Sequence, residues 1–337
     1  MVTKNMKHKV AKKRVLITGA DGFIGSHLTE TLCKAGHNVT ALAYYNSFNS
    51  WGWLETINNK KNLKIISGDI RDPGFCRNIV KGQDTVFNLA ALIAIPYSYK
   101  APHSYVDTNI KGTLNLCEAA RDYNIKSFIQ TSTSEVYGTA MYTPIDEKHP
   151  LQAQSPYSAS KIGSDSVAMS FHYSFGLPVT IIRPFNAYGP RQSSRAIIPS
   201  IITQILSGKK TINLGDLSPT RDFTFVKDLC ECILMVSENK NTVGKTINIG
   251  TGHEISIKHL VSEIKEIMAS NVKIATQPER KRPKKSEVYR LCCDNTLLKK
   301  IINHSPQTSL KLGLSKTIEW FSDPANLNKY KSEIYNI

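Results

Sequence analysis

Tyr157 and Lys161 lie four residues apart in the segment YSASK, residues 157–161. Residues at this spacing share one face of a helix, which brings the ammonium group beside the phenol. A nearby positive charge lowers the pKa of a phenol, and the phenolate can then take the proton of a hydroxyl group. The spacing predicts a base that acts on an alcohol, although the same spacing occurs by chance on exposed helix faces.

A second polar group, Ser132 to Glu135, ends an apolar run at 127–133 that reads as a β-strand. In an open parallel sheet, ligand-binding and catalytic groups lie beyond the carboxyl ends of the strands. We therefore expect Thr133, Ser134 and Glu135 to belong to the same site as Tyr157.

A glycine-rich turn follows the first predicted strand and leads into a predicted helix at 23–35. Gly19 allows the tight turn, Gly22 allows the backbone to approach a pyrophosphate, and Gly25 allows close packing of helix and strand. The helix N-terminus adds amide hydrogens and a positive dipole. The spacing is GxxGxxG rather than GxGxxG, but its position predicts a dinucleotide-binding turn made of Gly19, Asp21, Gly22, Phe23, Ile24 and Gly25.

The second predicted strand, 38–44, carries Ala43 where dinucleotide-binding folds usually place an acid for the ribose hydroxyls. The missing acid removes a repulsion that would exclude a 2′-phosphate, yet no Arg or Lys follows nearby to bind one. We expect NADP or NAD as cofactor, and the missing acid slightly favours NADP.

Three further residues at strand ends are candidates for the cofactor site. Asp69 and Ile70 follow the third predicted strand, where Asp69 is placed to reach the adenine, and Ala90 ends the fourth. An aspartate at this position serves equally well as a helix cap.

Short β-branched runs alternate with longer amphipathic stretches through the first half of the chain. The strands are predicted at 14–20, 38–44, 63–69, 85–90, 127–133 and 179–185, and the helices at 23–35, 72–81, 103–123 and 155–175. Nearly continuous apolar strands separated by helices indicate a parallel sheet covered on both faces. Right-handed crossovers then give an α/β fold with a doubly wound Rossmann sheet.

The alternation loosens after residue 186. Helices are predicted at 195–207, 226–237 and 256–268, and strands at 211–214 and 245–250. We expect the strand at 245–250 to return to the sheet. The prediction is a basic flexible tail (1–13), an NAD(P)-binding domain (14–185 plus 225–255) and a smaller, discontinuous α/β substrate-binding lobe (186–224 plus 256–337).

The composition excludes several classes of protein. The chain has 337 residues, 41% of them hydrophobic and 21% charged, which is typical of a folded domain. Its net charge of +16 suggests polyanionic partners, but its two basic runs lack the interleaved aromatic residues of a nucleic-acid site. No stretch approaches the roughly 18 apolar residues of a membrane helix.

The seven cysteines include no CxxC pair. We therefore expect a cytoplasmic protein with reduced thiols, no metal site, and neither nucleic acid nor membrane as partner.

Five motifs together resemble the extended short-chain dehydrogenase/reductase family, and within it the NAD(P)-dependent epimerases and dehydratases of nucleotide sugars. They are GADGFIGSH, TNIKGT, STSEVYG, YSASK and RPFNAYGPRQ. The resemblance covers about residues 14–322. The STSEVYG box and the stretch YYNSFNSWGWLE (44–55) are also similar to the 4,6-dehydratases of legionaminic acid biosynthesis, which act on a nucleotide-linked N-acetylglucosamine.

The resemblance implies a role for each candidate. Tyr157 is the base for the sugar C4 hydroxyl, Lys161 tunes it and holds the nicotinamide ribose, and Thr133 binds near the C4 oxygen. Asn109 supports this relay through water. The residues implied in substrate binding are Asn186, with the following YGPR segment, Arg191 and Arg221 for the diphosphate, and Arg282 and Glu287 over the diphosphate and the nucleoside ribose.

Glu135 favours a dehydratase over an epimerase. After C4 is oxidised, a carboxylate can remove the acidified C5 hydrogen, water leaves from C6, and the hydride returns to C6. The glucose-type dehydratases carry an Asp where this chain has Ser134, and glucuronic acid decarboxylases carry a similar Ser-Glu-Val-Tyr-Gly. Either Glu135 itself or water relayed by Ser134 would protonate the leaving oxygen.

The sequence therefore predicts a lyase, a 4,6-dehydratase of GDP- or UDP-N-acetylglucosamine. The alternatives are a 4-epimerase or decarboxylase on the same scaffold, or a non-catalytic NAD(P)- or RNA-binding relative. We expect a homodimer or homotetramer formed through the helices at 103–123 and 155–175. Trp51 and Trp53 are expected in a subunit contact or a lid over the cofactor, although a place in the core is also compatible with the sequence.

Overall fold

The computed structural model describes residues 12–58, 60–331 and 334, so that most of the predicted tail lies outside the described residues. The strands are β1 Arg14–Thr18, β2 Asn38–Tyr44, β3 Leu63–Gly68, β4 Thr85–Asn88, β5 Ser127–Thr131, β6 Val179–Pro184, β7 Ala187–Tyr188, β8 Thr211–Leu214, β9 Thr220–Asp222, β10 Thr224–Phe225, β11 Thr246–Ile249, β12 Glu254–Ser256 and β13 Lys273–Thr276.

The helices alternate with these strands. They are α1 Phe23–Lys34, α2 Pro73–Val80, α3 Ile95–Lys100, α4 Pro102–Tyr105, α5 Gly112–Asp122, α6 Pro156–Phe175, α7 Ile197–Leu206, α8 Val226–Glu238, α9 Ile257–Ile267, α10 Thr296–Ile302, α11 Leu310–Ser322 and α12 Pro324–Leu327. A π-helical segment at Val106–Lys111 and short 3-10 turns, among them Gly52–Thr56 and Ser134–Tyr137, complete the chain.

Seven parallel strands form the central sheet in the order β11-β6-β5-β4-β1-β2-β3. Successive residues of a strand point to opposite faces of a sheet. In β1, Val15 and Ile17 accordingly pack on one face, against α1 and α8, while Leu16 packs on the other, against α2, α5 and α6. The prediction of a doubly wound Rossmann sheet is confirmed, including the return of the strand at 245–250, which pairs with β6 as β11.

Several strands end one or two residues before the predicted ends. β5 stops at Thr131 rather than Thr133, and β4 stops at Asn88 rather than Ala90. Both segments continue as loops at the carboxyl edge of the sheet, and their residues line a cleft there. Apolar composition alone does not distinguish the last paired residue from the first residue of such a loop.

The predicted helix at 103–123 is interrupted by the π-helical segment between α4 and α5. Six residues are too few for their spacing to reveal a wider turn. Short π-helical segments of this kind are frequent at functional sites. This one places Asn109 inside the protein, where its side chain is 1% exposed.

A third group of buried residues lies apart from the sheet and draws on two separated parts of the chain. Tyr188, Ile198 and Phe223 come from the first part, and Leu260 and Phe321 from the second. We propose that these parts form one discontinuous lobe, as the domain prediction has it. One piece differs from that prediction: Leu298 and Ile302 of α10 pack in the core of the sheet, beside α8.

Candidate active site

A cleft of about 930 Å³ runs along the carboxyl edge of the sheet and extends to the second lobe. Because strands of a parallel sheet all end at this edge, loops distant in sequence meet there. The predicted site residues that line the cleft are Gly19, Asp21, Gly22, Phe23, Ile24, Gly25, Asp69, Ile70, Ala90, Thr133, Ser134, Glu135, Tyr157, Lys161, Asn186, Arg221, Arg282 and Glu287.

The glycine turn has the geometry of a phosphate cradle. Gly19 has a φ of +65°, and a Cβ there would lie 2.9 Å from the backbone of Ala90. A Cβ on Gly25 would lie 2.1 Å from the carbonyl oxygen of Gly19, so that α1 packs directly on the turn. No side chain caps the start of α1 at Gly22, which leaves its first amide hydrogens available for the diphosphate of a dinucleotide. These residues fit NAD or NADP.

Arg71 lies at the adenosine end of the cleft and is a residue that the sequence analysis missed. It follows β3, and its guanidinium contacts the carboxylate of Asp69 through Nε at 2.8 Å and Nη2 at 2.5 Å. Nη2 also lies 3.3 Å from the hydroxyl of Tyr44, at the end of β2. The sequence shows no basic residue next to β2, because the arginine that reaches the end of β2 follows β3 instead.

Tyr157 lies in the first turn of α6, which begins with a reciprocal Ser155–Ser158 capping box. Its phenol is buried, hydrogen-bonds with Thr133 and lies edge-on to the ring of Tyr105. Burial raises the pKa of Tyr157, while the Thr133 hydrogen bond lowers it and the charge of Glu135 raises it. The phenol therefore lines the cleft, hydrogen-bonded to Thr133 and within the electrostatic influence of Glu135.

Lys161 is bound to the end of β5. Its Nζ donates a hydrogen bond to the carbonyl oxygen of Thr131 at 2.6 Å. Burial lowers the pKa of Lys161 to about 8, and the carboxylate of Asp165 opposes that shift. Burial is the largest influence on the pKa of Tyr157 and raises it, so the tuning of this phenol by the Lys161 ammonium stays a prediction.

Thr133, Ser134 and Glu135 enter the cleft in a 3-10 turn. The Thr133 hydroxyl accepts the N–H of Glu135 at 3.2 Å and so caps the turn. Gly138 follows with a φ of +63°, where a side chain would be strained. The turn is short and capped at its start, which holds the Glu135 carboxylate against the second lobe.

Four charged side chains from three parts of the chain form one ion network. Arg282 Nη1 lies 3.3 Å from Glu135 Oε2 and 3.8 Å from Glu287 Oε1. Arg221 Nη2 lies 3.4 Å from the same Glu287 oxygen. Burial lowers the pKa of Arg221, and the charges of Glu135 and Glu287 oppose this. The network connects a catalytic candidate to three substrate-binding candidates.

Asn186 presents an unsatisfied acceptor. Its Oδ1 is buried and has no hydrogen-bond partner among the described residues, and the residue lines the cleft. Buried acceptors without a partner are uncommon in proteins. Asn186 therefore fits the predicted role of contacting a ligand.

Two candidates lie outside the lining of the cleft. Arg191 is bound to helix α1, with Nη2 2.7 Å from Glu30 Oε1 and Nη1 3.3 Å from Ser26 Oγ. Its position in the YGPR segment suggests diphosphate binding. In the structure its backbone has a left-handed φ of 68°, and the ion pair with Glu30 holds its side chain against α1. The prediction for Arg191 is corrected accordingly.

Asn109, the second of these candidates, holds the backbone of the loop after β4. Its Nδ2 donates to the carbonyl oxygen of Leu92 at 3.0 Å and to Ser160 Oγ at 2.9 Å, while Oδ1 accepts the N–H of Leu92 at 2.9 Å. Both amide hydrogens are thus used within the protein, and the support of the Tyr157–Lys161 relay through water stays a prediction. Asn109 fixes the loop after β4 to the helix that carries Tyr157.

A buried ionic network behind Tyr157 also escaped the sequence analysis. Asp165, four residues after Lys161, accepts hydrogen bonds from Ser132 Oγ at 2.6 Å and Arg183 Nη2 at 3.2 Å. Arg183 also lies over the ring of Tyr137. The i, i+4, i+8 spacing of Tyr157, Lys161 and Asp165 is the signal that could have predicted this network.

Trp53 packs within the chain, contrary to the prediction of a subunit contact or a lid. Its ring lies 5.5 Å from that of Trp320 and 6.1 Å from that of Tyr330, with the ammonium of Lys329 5.0 Å away. The turn that follows β2 is thereby attached to the C-terminal helices. Trp51 is 38% exposed.

Two further features concern the described part of the chain. None of its helices is both long and apolar enough to cross a membrane. Within the same ranges, no three His, Cys, Asp or Glu side chains are grouped as a metal site would require.

Known proteins resemble the chain over nearly its whole length. The family model of GDP-mannose 4,6 dehydratase matches residues 16–317. A dTDP-glucose 4,6-dehydratase from Streptomyces griseus is 34% identical, over 91% of this chain and 93% of the relative. A UDP-N-acetyl-alpha-D-glucosaminuronate decarboxylase from Bacillus cytotoxicus is also 34% identical, over 94% of this chain and 99% of the relative.

Among solved structures, the dTDP-glucose 4,6-dehydratase DesIV from Streptomyces venezuelae, determined with NAD bound, has a TM-score of 0.85. It is 29% identical and covers 94% of this chain and 99% of its own. The same family is indicated by these matches, by the dinucleotide cradle and by the Tyr157–Lys161 pair. The chain belongs to the NAD(P)-dependent family of nucleotide-sugar 4,6-dehydratases, epimerases and decarboxylases, within the extended short-chain dehydrogenase/reductase fold.

Proposed function

We propose that this chain is a 4,6-dehydratase of a nucleotide-linked N-acetylglucosamine, GDP- or UDP-linked, that acts in nonulosonic (legionaminic) acid biosynthesis. The observation that supports it is the buried carboxylate of Glu135 on the same cleft wall as Thr133 and the phenol of Tyr157. An epimerase needs only the proton acceptor, whereas a 4,6-dehydratase also needs a second base. The sugar is proposed from the resemblance of the STSEVYG box and of residues 44–55.

A nicotinamide dinucleotide held by the glycine turn would supply the hydride chemistry, oxidation at C4 and reduction at C6. Tyr157 takes the proton of the C4 hydroxyl, and Thr133, its hydrogen-bond partner, binds the C4 oxygen. Lys161 contributes a positive charge at the base of the cleft. Tyr157 and Lys161 are buried, which limits the access of water to both groups, whereas Thr133 is partly exposed to the cleft.

Glu135 removes the C5 proton once C4 is a ketone. Water then leaves from C6, with its proton supplied by Glu135 or through Ser134, which is also buried in the cleft wall. In this structure Glu135 is paired with Arg282. We propose that the substrate diphosphate attracts Arg282 and Arg221 and so releases the carboxylate for catalysis, because guanidinium groups bind phosphate oxygens well.

The direct test is incubation with GDP- and with UDP-N-acetylglucosamine, followed by mass spectrometry. A 4,6-dehydratase gives a product lighter by one water, which carries deuterium at C5 when the reaction is run in D₂O. Glu135→Gln should lower turnover at least about a hundredfold, the scale of a lost general base. It should still oxidise C4, which is visible as cofactor reduction; near-normal turnover of this variant would refute the role of Glu135.

A second candidate, 4-epimerase or decarboxylase activity, is favoured by Ser134. A serine is a poor acid for the leaving hydroxyl, and the decarboxylase that is 34% identical matches the chain as completely as the dehydratase does. Inversion at C4 without loss of mass and without deuterium at C5 would identify an epimerase. Release of CO₂ from a uronic acid substrate would identify a decarboxylase.

The proposal includes a homodimer or homotetramer. The π-helical segment, α5 and α6 carry exposed apolar side chains on the outside of the sheet layer, namely Val106 (45% exposed), Leu114 (37%) and Tyr173 (77%). Pairing of these helices with a second copy would bury them.

A further inference from the structure

The end of β2 has a carboxylate nearby although it has no acid of its own. Ala43, at the usual position of the ribose-binding acid, is completely buried. Asp21 belongs to the glycine turn after β1, but its Oδ2 accepts the N–H of Tyr44, the last residue of β2, at 3.1 Å. A carboxyl group therefore lies at the end of β2 and faces the cleft. Burial raises its pKa, and the hydrogen bond from the N–H of Tyr44 lowers it.

Asp21 is held in this place by the turn that follows β2. Its carbonyl oxygen accepts the N–H of Trp53 at 3.1 Å. Gly52 packs so closely that a Cβ there would lie 2.8 Å from the same oxygen and 3.3 Å from Asp21 Cβ. Trp53 is in turn packed against Trp320. The turn thus holds the backbone of Asp21, while the N–H of Tyr44 binds its carboxylate.

The Asp21 carboxylate has unused capacity to accept hydrogen bonds. Among the described residues, the hydrogen bonds found for it come from backbone N–H groups, those of Tyr44 and of Asp21 itself. An ionised carboxylate has about four acceptor positions. It can therefore accept further hydrogen bonds from the hydroxyl groups of a ligand.

The basic residue at this end of the cleft is already neutralised. Arg71 reaches the hydroxyl of Tyr44, but Asp69 binds its guanidinium through two nitrogens. A 2′-phosphate would have to compete with Asp69 for Arg71. It would also approach the Asp21 carboxylate, which carries a charge of the same sign.

We infer that Asp21 takes the place of the absent β2 acid: it binds the hydroxyls of the adenosine ribose and makes the protein select NAD over NADP. A carboxylate accepts hydrogen bonds from a ribose diol, as the β2 acid does in other dinucleotide-binding folds. It repels a phosphate group in the same position, and repulsion of this kind is an effective source of specificity. The inference reverses the preference for NADP that the sequence suggests, and it holds whether the enzyme is a dehydratase or an epimerase.

The test measures cofactor binding rather than turnover. The nucleotide retained by the purified protein is released and identified by mass spectrometry, and the affinities for NAD and NADP are measured by calorimetry. We expect retained NAD and an affinity for NAD at least about tenfold above that for NADP. Equal or tighter binding of NADP by the unmodified protein would overturn the inference.

Asp21→Asn isolates the charge, because an amide oxygen can still accept the N–H of Tyr44. Its affinity for NADP should rise to within a few-fold of that for NAD, with little change for NAD. Arg71→Ala is the matched control at the same end of the cleft, and it should keep the preference for NAD. An unchanged NAD/NADP ratio in Asp21→Asn, or loss of discrimination in Arg71→Ala alone, would assign the selection to another residue.

A measurement on the unmodified protein covers the case in which Asp21→Asn does not fold, which thermal melting would reveal. ADP-ribose and its 2′-phosphate derivative differ only at the position in question. ADP-ribose should compete with NAD at least about tenfold better than the derivative. Equal competition would contradict a role for Asp21 in reading the 2′ position.

Discussion

Burial is the largest influence on the pKa values of Tyr157 and Lys161, at the base of the cleft. It raises the pKa of Tyr157 and lowers that of Lys161 to about 8, in each case against the charged form. Asp165 is the neighbouring charge that opposes the shift of Lys161. The protonation of Lys161 near neutral pH therefore depends on a residue that does not line the cleft.

Asp165→Asn should move the alkaline limb of the reaction to lower pH. The Lys161 ammonium is present below its pKa of about 8 and is lost as the pH rises through that value. Removing the carboxylate removes the influence that raises this pKa, so the ammonium is lost at a lower pH. The check is the pH profile of cofactor reduction in the first turnover.

Asp165→Glu keeps the negative charge and serves as the control, with the limb close to that of the unmodified enzyme. A limb that stays in place in Asp165→Asn, or moves to higher pH, would show that the charge of Lys161 does not limit the reaction.

The sequence predicts a catalytic role for Glu135 but does not show which side chain its carboxylate pairs with. The proposed chemistry needs a carboxylate next to Tyr157, and an ion pair with an unrelated residue would argue against it. The partner in the structure, Arg282, is a residue assigned to the substrate on separate grounds. The pair therefore belongs to the proposed site, and it identifies the contact that a bound diphosphate would have to replace.

Among the elements, helix α1 packs on the glycine turn in a way that gives Gly22 and Gly25 different surroundings, although the two look alike in sequence. A Cβ on Gly25 would meet the backbone of the turn at 2.1 Å, whereas a Cβ on Gly22 would come no closer than 3.4 Å to Gly19 O. Gly25→Ala should therefore lower the free energy of unfolding by about 1–3 kcal/mol, the usual cost of overpacking. Chemical denaturation measures this difference.

Gly22→Ala is the matched comparison. It should unfold at nearly the same denaturant concentration as the unmodified protein but bind NAD more weakly, because its methyl group faces the cleft. Equal stability of the two variants would mean that α1 can move away from the turn at little cost.

A second prediction of stability concerns the contact between the Gly52–Thr56 turn and the C-terminal part of the chain. Trp53→Ala removes the ring that packs on Trp320 and Tyr330. Because Trp53 is only partly buried, the change should cost about 2 kcal/mol of unfolding free energy, less than the roughly 3–5 kcal/mol of a fully buried tryptophan. Trp51→Ala, at a position 38% exposed, should change it by less than about 0.5 kcal/mol. Similar losses in both variants would indicate that the whole turn, and not the Trp53 contact, sets the effect.

At the scale of the whole molecule, the proposed pairing of α5 and α6 with a second copy can be tested by mass. Light scattering should give at least twice the 37.6 kDa of one chain. Leu114→Asp should halve the measured mass, since it places a charge in an apolar contact. Leu312→Asp, at a more exposed position (48% against 37% for Leu114) on α11 in the second lobe, should leave the mass unchanged.

Local patterns in the sequence determine the sheet, the cradle and the main catalytic candidates. Alternating strands and helices, glycines between β1 and α1, and a Tyr–Lys pair four residues apart are properties of neighbouring residues, so they can be recognised without a structure. Element ends are less well determined, as β4, β5 and the π-helical segment show. Hydrogen bonding and loop geometry there depend on residues far away in the chain.

Tertiary structure alone decides which charges meet. Arg282 and Glu135 are 147 positions apart, Arg191 is drawn to Glu30 on α1, and Asp21 reaches β2 from the turn after β1. An ion pair or a hydrogen bond acts over a few ångströms, whereas the sequence records only order along the chain. The choice of NAD over NADP that we infer has this origin: β2 lacks the acid, and the fold brings a carboxylate to the same place from another segment.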